Sequence, residues 1–331
     1  MKTTTNPFKR TAITAALSLT TLLAACGGGG GGGAPTSTTT STTTPTNTST
    51  TATNTGATAT PTYAAGSQEL AAFAQLNSMR QQCGFPAVSE NTLLDTAAAN
   101  HYQYMVDNQV TGHYETQGNP GFTGVTPQNR ATVVGYSYGA GEANGSYTGG
   151  SGGALAIIGL ASLPYHSAGI FSSFAEVGMK YGTFAGGLDA FEMMTGSGAT
   201  THVLQGSPIT FPCQGTSGVD YEGASIENPT PTINGAAFSQ WGTPIAVIGN
   251  TGDTVTLTSG TLIDPNNNSI ALNLLDSAND SNHELPTYVA SAFPSVPLKP
   301  NTTYMATLAG TDNGATFTRQ FSFTTGSQGK F

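Results

Sequence analysis

The sequence predicts an α+β domain followed by an all-β domain, and three observations support this fold class. Apolar residues recur with the helical period only between residues 66 and 163. Two short runs of alternating side chains come next, which predicts a small sheet. Beyond residue 206 only short β-rich runs remain, separated by Gly, Pro and Asn. Helices followed by strands are typical of α+β proteins rather than of repeating β/α folds.

The first 25 residues have the pattern of a bacterial lipoprotein signal peptide. Lys2, Lys9 and Arg10 precede the short apolar run TAITAALSLTTLLAA. That run ends in LAAC, which resembles a lipobox, with cleavage before Cys26 and lipid on its sulfur. The alternative is an ordinary signal peptide that happens to end beside a cysteine. We expect an exported lipoprotein held on a membrane through Cys26, and Gly27 in the next position favours the outer membrane or cell surface.

Residues 26–65 are predicted to form a disordered tether. This segment is dominated by Gly and Thr, has no apolar period and carries almost nothing that a core could bury. Such a tether would hold the folded part away from the lipid.

The composition excludes one class of partner. The chain has 331 residues, a formal net charge of −9 and only 8% charged residues. Nucleic-acid binding depends on clustered Lys and Arg, which this sequence lacks. We therefore expect no nucleic-acid partner.

Four helices are predicted in the domain at residues 66–206. The first is SQELAAFAQLNSMRQQ, with Ser67 as its N-cap, and the second is SENTLLDTAAANHYQYMVDNQ. A short third helix begins at Thr126-Pro127 and ends at Gly135, and the fourth, GGALAIIGLASL, ends before Pro164. The run SFAEVGMKYG then alternates as a strand, and DAFEMMTG is its expected antiparallel partner.

The domain at residues 207–331 is predicted to be a β-sandwich of immunoglobulin-like type. Six short β-rich runs between TPIAVIG and FTRQFSFTT are divided by turn residues at sandwich-like spacing. Trp241, the single tryptophan, is expected in the sandwich core. No catalytic residue is predicted in this domain, because its Asp and His residues are scattered.

The segment GYSYG around Ser137 fits the G-x-S-x-G elbow of serine hydrolases. An elbow serine must follow a strand and open a helix. The sequence after it, AGEANGSYTGGSGG, is too rich in glycine for a helix. We therefore predict that Ser137 is a loop residue.

Three segments occur in an order that resembles a known family. They are LLDTAAANHYQYMVDNQVTGHYE, NRATVVGYSYGAGEANG and PYHSAGIFSSFAEVGMKYG, within the range from Ser67 to Gly182. Together they resemble the bacterial branch of the CAP superfamily, the cysteine-rich secretory, venom-allergen and plant pathogenesis-related proteins. The resemblance implies an α-β-α sandwich with a cleft that holds two histidines and two glutamates.

His113, Glu142 and His166 fill three of the four cleft positions that the resemblance implies. Where many relatives have the remaining glutamate, this chain has Leu160 and then Leu163. The arginine that follows the second histidine in relatives is also absent, and a serine stands there. Both departures argue against catalysis at this cleft.

Two neutral imidazoles and one carboxylate suit Zn²⁺ with an open position, or another divalent cation. We expect His113, Glu142 and His166 to meet in a cleft open to solvent on one side. Two alternatives remain open: a buried polar network without metal, and three separate surface residues. His101 on the second helix is expected to be a core histidine. Glu176 is expected to be a solvated strand residue, although it could replace the missing acid.

Cys83 and Cys213 remain once Cys26 is assigned to the lipid anchor. Exported proteins usually pair their cysteines, so a Cys83–Cys213 disulfide is predicted, with two buried free thiols as the alternative.

Two classes of function remain open at the level of sequence. The first is a surface module that binds an envelope or host lipid, glycan or protein without transforming it. The second is a metal-assisted hydrolase that acts on envelope or extracellular substrates through His113, His166 and Glu142. The incomplete set of cleft residues favours the first.

Overall fold

The computed structural model describes residues 59–199, 202–224 and 227–327. The predicted signal peptide, Cys26 and most of the predicted tether lie outside the described residues. The residues in these ranges form five helices: α1 (Gln68–Gln82), α2 (Thr92–Asn108), α3 (Pro127–Val133), α4 (Gly153–Ala161) and α5 (Pro164–Ile170). The first four correspond to the predicted helices.

The helix starts follow the capping chemistry of the sequence. The Ser67 hydroxyl accepts a hydrogen bond from the Leu70 backbone at 3.1 Å, as predicted for an N-cap. Thr126 and Asn129 form a reciprocal capping box at the start of α3. Pro164 was predicted only to stop a helix, but it also opens α5. Proline is favoured in the first helical turn because its missing N–H has no partner there in any case.

A four-stranded sheet lies within the helical domain. Its strands are β1 (Ser89–Glu90), β2 (Ala140–Thr148), β3 (Glu176–Thr183) and β4 (Leu188–Gly196), in the spatial order β1-β3-β4-β2. β3 and β4 are antiparallel, as predicted, and a short 3₁₀ turn at Ala185–Gly187 joins them. β2 was not predicted from the sequence, and every one of its residues pairs with a residue of β4.

The sheet is buried on both faces, which makes the domain an α-β-α sandwich. Met193 packs in the larger apolar cluster with residues of α1, α4 and α5, whereas Met194 packs with residues of α2 and α3. Successive side chains of a strand point to opposite faces, so the helices must cover both sides of β4. The α+β class and the three-layer architecture are therefore confirmed.

The rest of the chain is built from strands. They are β5 (Ile209–Phe211), β6 (Thr216–Val219), β7 (Gly223–Ala224), β8 (Thr232–Ile233), β9 (Ala236–Ala237), β10 (Gln240–Trp241), β11 (Ile245–Ile248), β12 (Val255–Ile263), β13 (Ser269–Ala271), β14 (Asn273–Asp276), β15 (Val289–Phe293), β16 (Thr303–Asp312) and β17 (Ala315–Thr325). Each of the six predicted β-rich runs contains a strand.

Two main sheets organise this C-terminal region. One has the strand order β14-β15-β11-β5 and the other β13-β12-β16-β17-β6, with two short ribbons beside them. Both sheets contribute to one apolar cluster, so they pack as two layers. The predicted all-β region after the helical domain is confirmed.

The C-terminal region packs directly against the helical domain. The same apolar cluster continues from α1, α4 and α5 into β5, β11 and β15. Phe171, which follows α5, stacks on Phe211 of β5 with ring centroids 3.9 Å apart. Trp241 is fully buried, as predicted, and its indole N–H donates to the Ser162 carbonyl at 2.8 Å. The predicted disulfide joins Cys83 to Cys213 across the same junction.

Within the part of the chain that the structure describes, no single helix is long and apolar enough to cross a membrane. α4 and α5 together reach that length and hydropathy only as a pair bent by 114°.

Candidate functional site

The predicted cleft residues belong to a cluster of polar side chains inside the helical domain. Its members are His101, His113, Glu115, Arg130, Glu142, Asn144, His166, Glu192 and Glu227, and each is between 0% and 2% exposed. A cleft open to solvent was expected, and that expectation is wrong for this structure. The physical reason is that the C-terminal region packs against α5, which carries the second histidine, and places Glu227 beside that histidine.

Glu142 on β2 accepts hydrogen bonds from three side chains. His113 donates through Nδ1 at 2.7 Å and Asn144 through Nδ2 at 3.1 Å. Arg130 of α3 forms a direct ion pair with the second oxygen of Glu142. Glu142 and Asn144 reach the cluster together because residues two apart on a strand share a face.

Arg130 holds this part of the cluster in place. Its guanidinium donates to the backbone carbonyls of His113 at 3.0 Å and Gly124 at 3.3 Å. Burial alone would raise the pKa of Glu142, but the charges of Arg130 and His101 and the His113 hydrogen bond hold it well below its usual range. Glu142 is therefore an ionised acceptor, and such a carboxylate is a weak base for catalysis.

His101 of α2 lies at the other side of Glu142, with 3.7 Å between its Nε2 and the carboxylate. Its Nδ1 faces Glu115 at 2.9 Å, and its Nε2 faces the Gly112 carbonyl at 2.8 Å. A carbonyl can only accept, so Nε2 carries a proton. The residue is a buried core histidine, as predicted, and both of its ring nitrogens are engaged by the protein.

His113 and His166 are neighbours, with ring centroids 6.4 Å apart. Each has its Nδ1 on a carboxylate: Glu142 for His113, and Glu227 for His166 at 2.9 Å. Each has a buried Nε2 that finds no hydrogen-bond partner among the described residues. Burial lowers the pKa of His113 despite the opposing effect of Glu142, so its imidazole is neutral. A carboxylate on Nδ1 keeps the proton there and leaves Nε2 as a lone pair.

Glu227 of the C-terminal region completes the surroundings of His166. One of its oxygens accepts from Nδ1 of His166 and from the backbone N–H groups of Tyr165 and His166, each at 2.9 Å. Where the family resemblance implies a glutamate, Leu160 and Leu163 are buried apolar residues. A carboxylate from outside the helical domain therefore lies beside the second histidine.

Neither Glu192 nor Glu227 was predicted from the sequence as a member of this cluster. Glu192 pairs with Asn144 across β4 and β2, and its fully buried side chain shares a face with Ala190 and Met194. Because Glu192 stands midway between two apolar residues of the same strand face, the sequence DAFEMMTG already indicated a buried carboxylate. Glu227 lies 61 residues after His166 in a stretch with no periodicity, and nothing local indicates its role.

Burial, and next the charge of Glu142, hold the pKa of Glu192 well above its usual range. Burial therefore favours the protonated, uncharged form of Glu192 beside an ionised Glu142. The two carboxyl groups can lie close together because only one of them carries charge.

His101, Glu142 and Glu192 offer ligand atoms that lie within 4.8 Å of one another, so by spacing they could hold a metal ion. Their bonding opposes this. Glu142 is paired with Arg130, both nitrogens of His101 face acceptors, and burial favours the protonated form of Glu192. A metal ligand must present a free lone pair, and a cation here would meet the Arg130 charge.

The predicted set of His113, Glu142 and His166 offers two free nitrogens. Catalytic zinc sites usually have about three protein ligands plus a water. Glu142 contacts His113 through Nδ1, so it orients this imidazole from the side opposite to its Nε2. In this arrangement His113, Glu142 and His166 alone therefore do not supply the three ligands of a hydrolytic zinc site.

Two other residues considered from the sequence lie elsewhere. Ser137 is exposed in the loop between α3 and β2, so a helix precedes it and a strand follows it, the reverse of a nucleophile elbow. Glu176 was expected to be solvated, but it is half-buried and accepts hydrogen bonds from Tyr136 at 2.7 Å and Asn91 at 3.1 Å. It does not replace the missing acid of the cluster.

Comparison with known proteins gives the family of the helical domain. Residues 73–185 match the model of the cysteine-rich secretory protein family, CAP. This part of the chain is a CAP domain. An outer surface protein from Borrelia burgdorferi is structurally similar at a TM-score of 0.34 and 14% identity, over 39% of this chain and 91% of that protein. No curated protein matches the sequence. The CAP domain is followed by the β-rich C-terminal region described above.

Proposed function

We propose that this protein is an exported lipoprotein of the outer membrane or cell surface, anchored through Cys26, and that its folded part binds a ligand without transforming it. The candidate ligands are an envelope or host lipid, glycan or protein. A CAP domain fits an extracellular or surface protein. The lipobox and the Gly/Thr-rich segment after it supply the reason to expect a membrane anchor and a tether.

The closed polar cluster is the observation that carries this proposal. His113, Glu142 and His166 are each at most 2% exposed, so a substrate cannot contact them in this arrangement. Catalytic groups must come within hydrogen-bond reach of the reacting atoms. The buried network fixes α2, α3, β2 and α5 relative to one another, which is a structural role.

A metal-assisted hydrolase is the second candidate, and one observation favours it. The two unpaired Nε2 atoms of His113 and His166 are the kind of donor that a divalent cation such as Zn²⁺ requires. This function would need the C-terminal region to move away from α5, and a third ligand from outside the present set.

A paired screen separates the two functions. The mature protein, with Cys26 replaced by Ser for solubility, is tested for binding to phospholipid vesicles, glycans and envelope proteins. In parallel it is tested for hydrolysis of ester, peptide and phosphoester substrates, with Zn²⁺ and with a chelator. The proposal predicts saturable binding to one ligand class and no turnover in either condition.

The hydrolase alternative gives a different result in the same screen. It predicts turnover that requires metal, that His113→Asn abolishes and that the matched control Ser137→Ala retains. Such a result would overturn the binding proposal.

A further inference from the structure

A cavity of about 290 Å³ lies at the junction of the CAP domain and the C-terminal region, apart from the histidine cluster. One wall comes from α1 and α4, through Met79, Ile158 and neighbours. The opposite wall comes from β5, β6 and the residue that follows β6. The cavity is therefore formed only when both regions are present.

A covalent link holds the two walls together. Cys83 comes directly after α1, and Cys213 lies in the loop between β5 and β6. The disulfide between them joins the end of one wall to the other, and the Gln82 side chain donates to the Gly215 carbonyl beside it at 3.4 Å. Binding sites need such fixed walls, because a wall that must be ordered by the ligand reduces affinity.

The lining combines free polar groups with apolar surface. Ser78 and Ser217 are exposed and Gln75 is half-buried, and their side chains make no hydrogen bond to another described residue. Met79, Ile158 and other apolar side chains line the same cavity. An amide and two hydroxyls with no protein partner can exchange hydrogen bonds with a ligand.

The lining carries no positive charge, and its one ionisable side chain is Asp220. Burial, and next the charge of Glu222, raise the pKa of Asp220 to about 8, so this carboxyl group is mostly uncharged at neutral pH. Neither of its oxygens has a hydrogen-bond partner among the described residues. An anionic ligand would find no counter-ion here, and the cavity therefore suits an uncharged ligand.

We propose that this cavity binds a neutral saccharide. Hydroxyl groups of a sugar match the free amide and hydroxyl groups of Gln75, Ser78 and Ser217, and the C–H face of a sugar ring can pack on Met79 and Ile158. An acyl chain would cover the same polar groups without replacing their hydrogen bonds to water, which costs binding energy. This inference rests on the proposed binding function and names its site and ligand class.

The test uses saturation-transfer NMR and calorimetry on the soluble mature protein. The probes are glucose, galactose, N-acetylglucosamine, maltose and chitobiose. The proposal predicts saturable binding of at least one of these sugars. Gln75→Ala should weaken it at least about fivefold, the effect of losing one hydrogen bond. Ser78→Trp, which fills the cavity from the exposed face of α1, should abolish it.

Gln81→Ala is the matched control, because Gln81 is exposed on the same helix but does not line the cavity. It should leave sugar binding unchanged, and thermal unfolding of each variant checks that the fold is retained. Absence of binding to every probe overturns the saccharide site. Binding that Gln75→Ala and Ser78→Trp both leave intact overturns it as well.

The failure of this site and the failure of the proposed function give different results. Binding of a lipid or protein in the broader screen, with no sugar binding, refutes the saccharide site alone. Metal-dependent turnover of a substrate refutes the proposed binding function itself.

Discussion

Glu227 of the C-terminal region accepts a hydrogen bond from Nδ1 of His166 in the CAP domain, with 2.9 Å between the two atoms. The same oxygen receives the first backbone N–H groups of α5. Burial raises the pKa of Glu227, although the contacts with His166 oppose the shift. The C-terminal region thus supplies a buried side chain to the interior of the CAP domain.

Replacing Glu227 with Ala should lower the free energy of unfolding by about 2–4 kcal/mol, because three buried donors lose their acceptor. Glu227→Gln keeps an oxygen acceptor and should lose less. Gln81→Ala is the control, since Gln81 is exposed on α1. Urea denaturation measures all three variants. Equal midpoints for Glu227→Ala and Gln81→Ala would contradict the prediction.

The free energy of unfolding of Glu192→Gln, relative to that of the wild type, should increase as pH rises. The unfolded-state pKa of glutamate is near about 4.3, and the folded-state pKa of Glu192 is raised well above its usual value. Between these two values the folded state binds more protons than the unfolded state, so wild-type stability falls with rising pH. Glu192→Gln lacks this loss of unfolding free energy, which amounts to at most about 1.4 kcal/mol per pH unit for one group. Denaturation of both proteins from pH 5 to 8 measures the difference; a constant difference would refute it.

Helices α1 to α4, strands β3 and β4 and the strands of the six β-rich runs could be predicted from local sequence patterns, whereas α5 and the short strands between β5 and β10 could not. β2 could not, because AGEANGSYT lacks the β-branched alternation of an ordinary strand. It is a strand because its backbone pairs with β4 from Ala140 to Thr148. Tertiary pairing, rather than propensity, decides this element.

The cluster was only partly predictable for a similar reason. His113 and Glu142 follow from the family resemblance, and the structure places them in contact. Predicting that Glu192 is buried would have required applying the strand alternation to a charged residue as well as to apolar ones. Glu227 depends on how two regions dock, and a single sequence carries no local signal for that.

The disulfide should contribute to stability through the long loop that it closes. Cys83 and Cys213 are 130 residues apart, and closing such a loop stabilises by roughly 3–5 kcal/mol in the chain-entropy model. The double variant Cys83→Ser, Cys213→Ser should unfold at a correspondingly lower urea concentration than the oxidised protein. Peptide mapping without reductant checks the pairing in the native protein. Two alkylatable thiols at these positions would show the prediction to be wrong.

Cys26→Ser should release the protein from the membrane fraction, because the acylated sulfur is its expected anchor. Detergent phase partitioning and fractionation of cells measure the change. Cys83→Ser is the matched control and should stay in the membrane fraction. A Cys26→Ser protein that still partitions into detergent would rule out lipidation at this residue.

Calorimetric titration of Zn²⁺ into the chelator-treated mature protein at pH 7.5 tests the central claim most directly. If the histidine–glutamate cluster is a closed structural network, the wild type and Ser137→Ala should both show no saturable binding. Stoichiometric binding that His113→Asn or His166→Asn abolishes, and that weakens as pH falls through the histidine range near about 6.5, would contradict it. That result would make the cluster a metal site and favour the hydrolase.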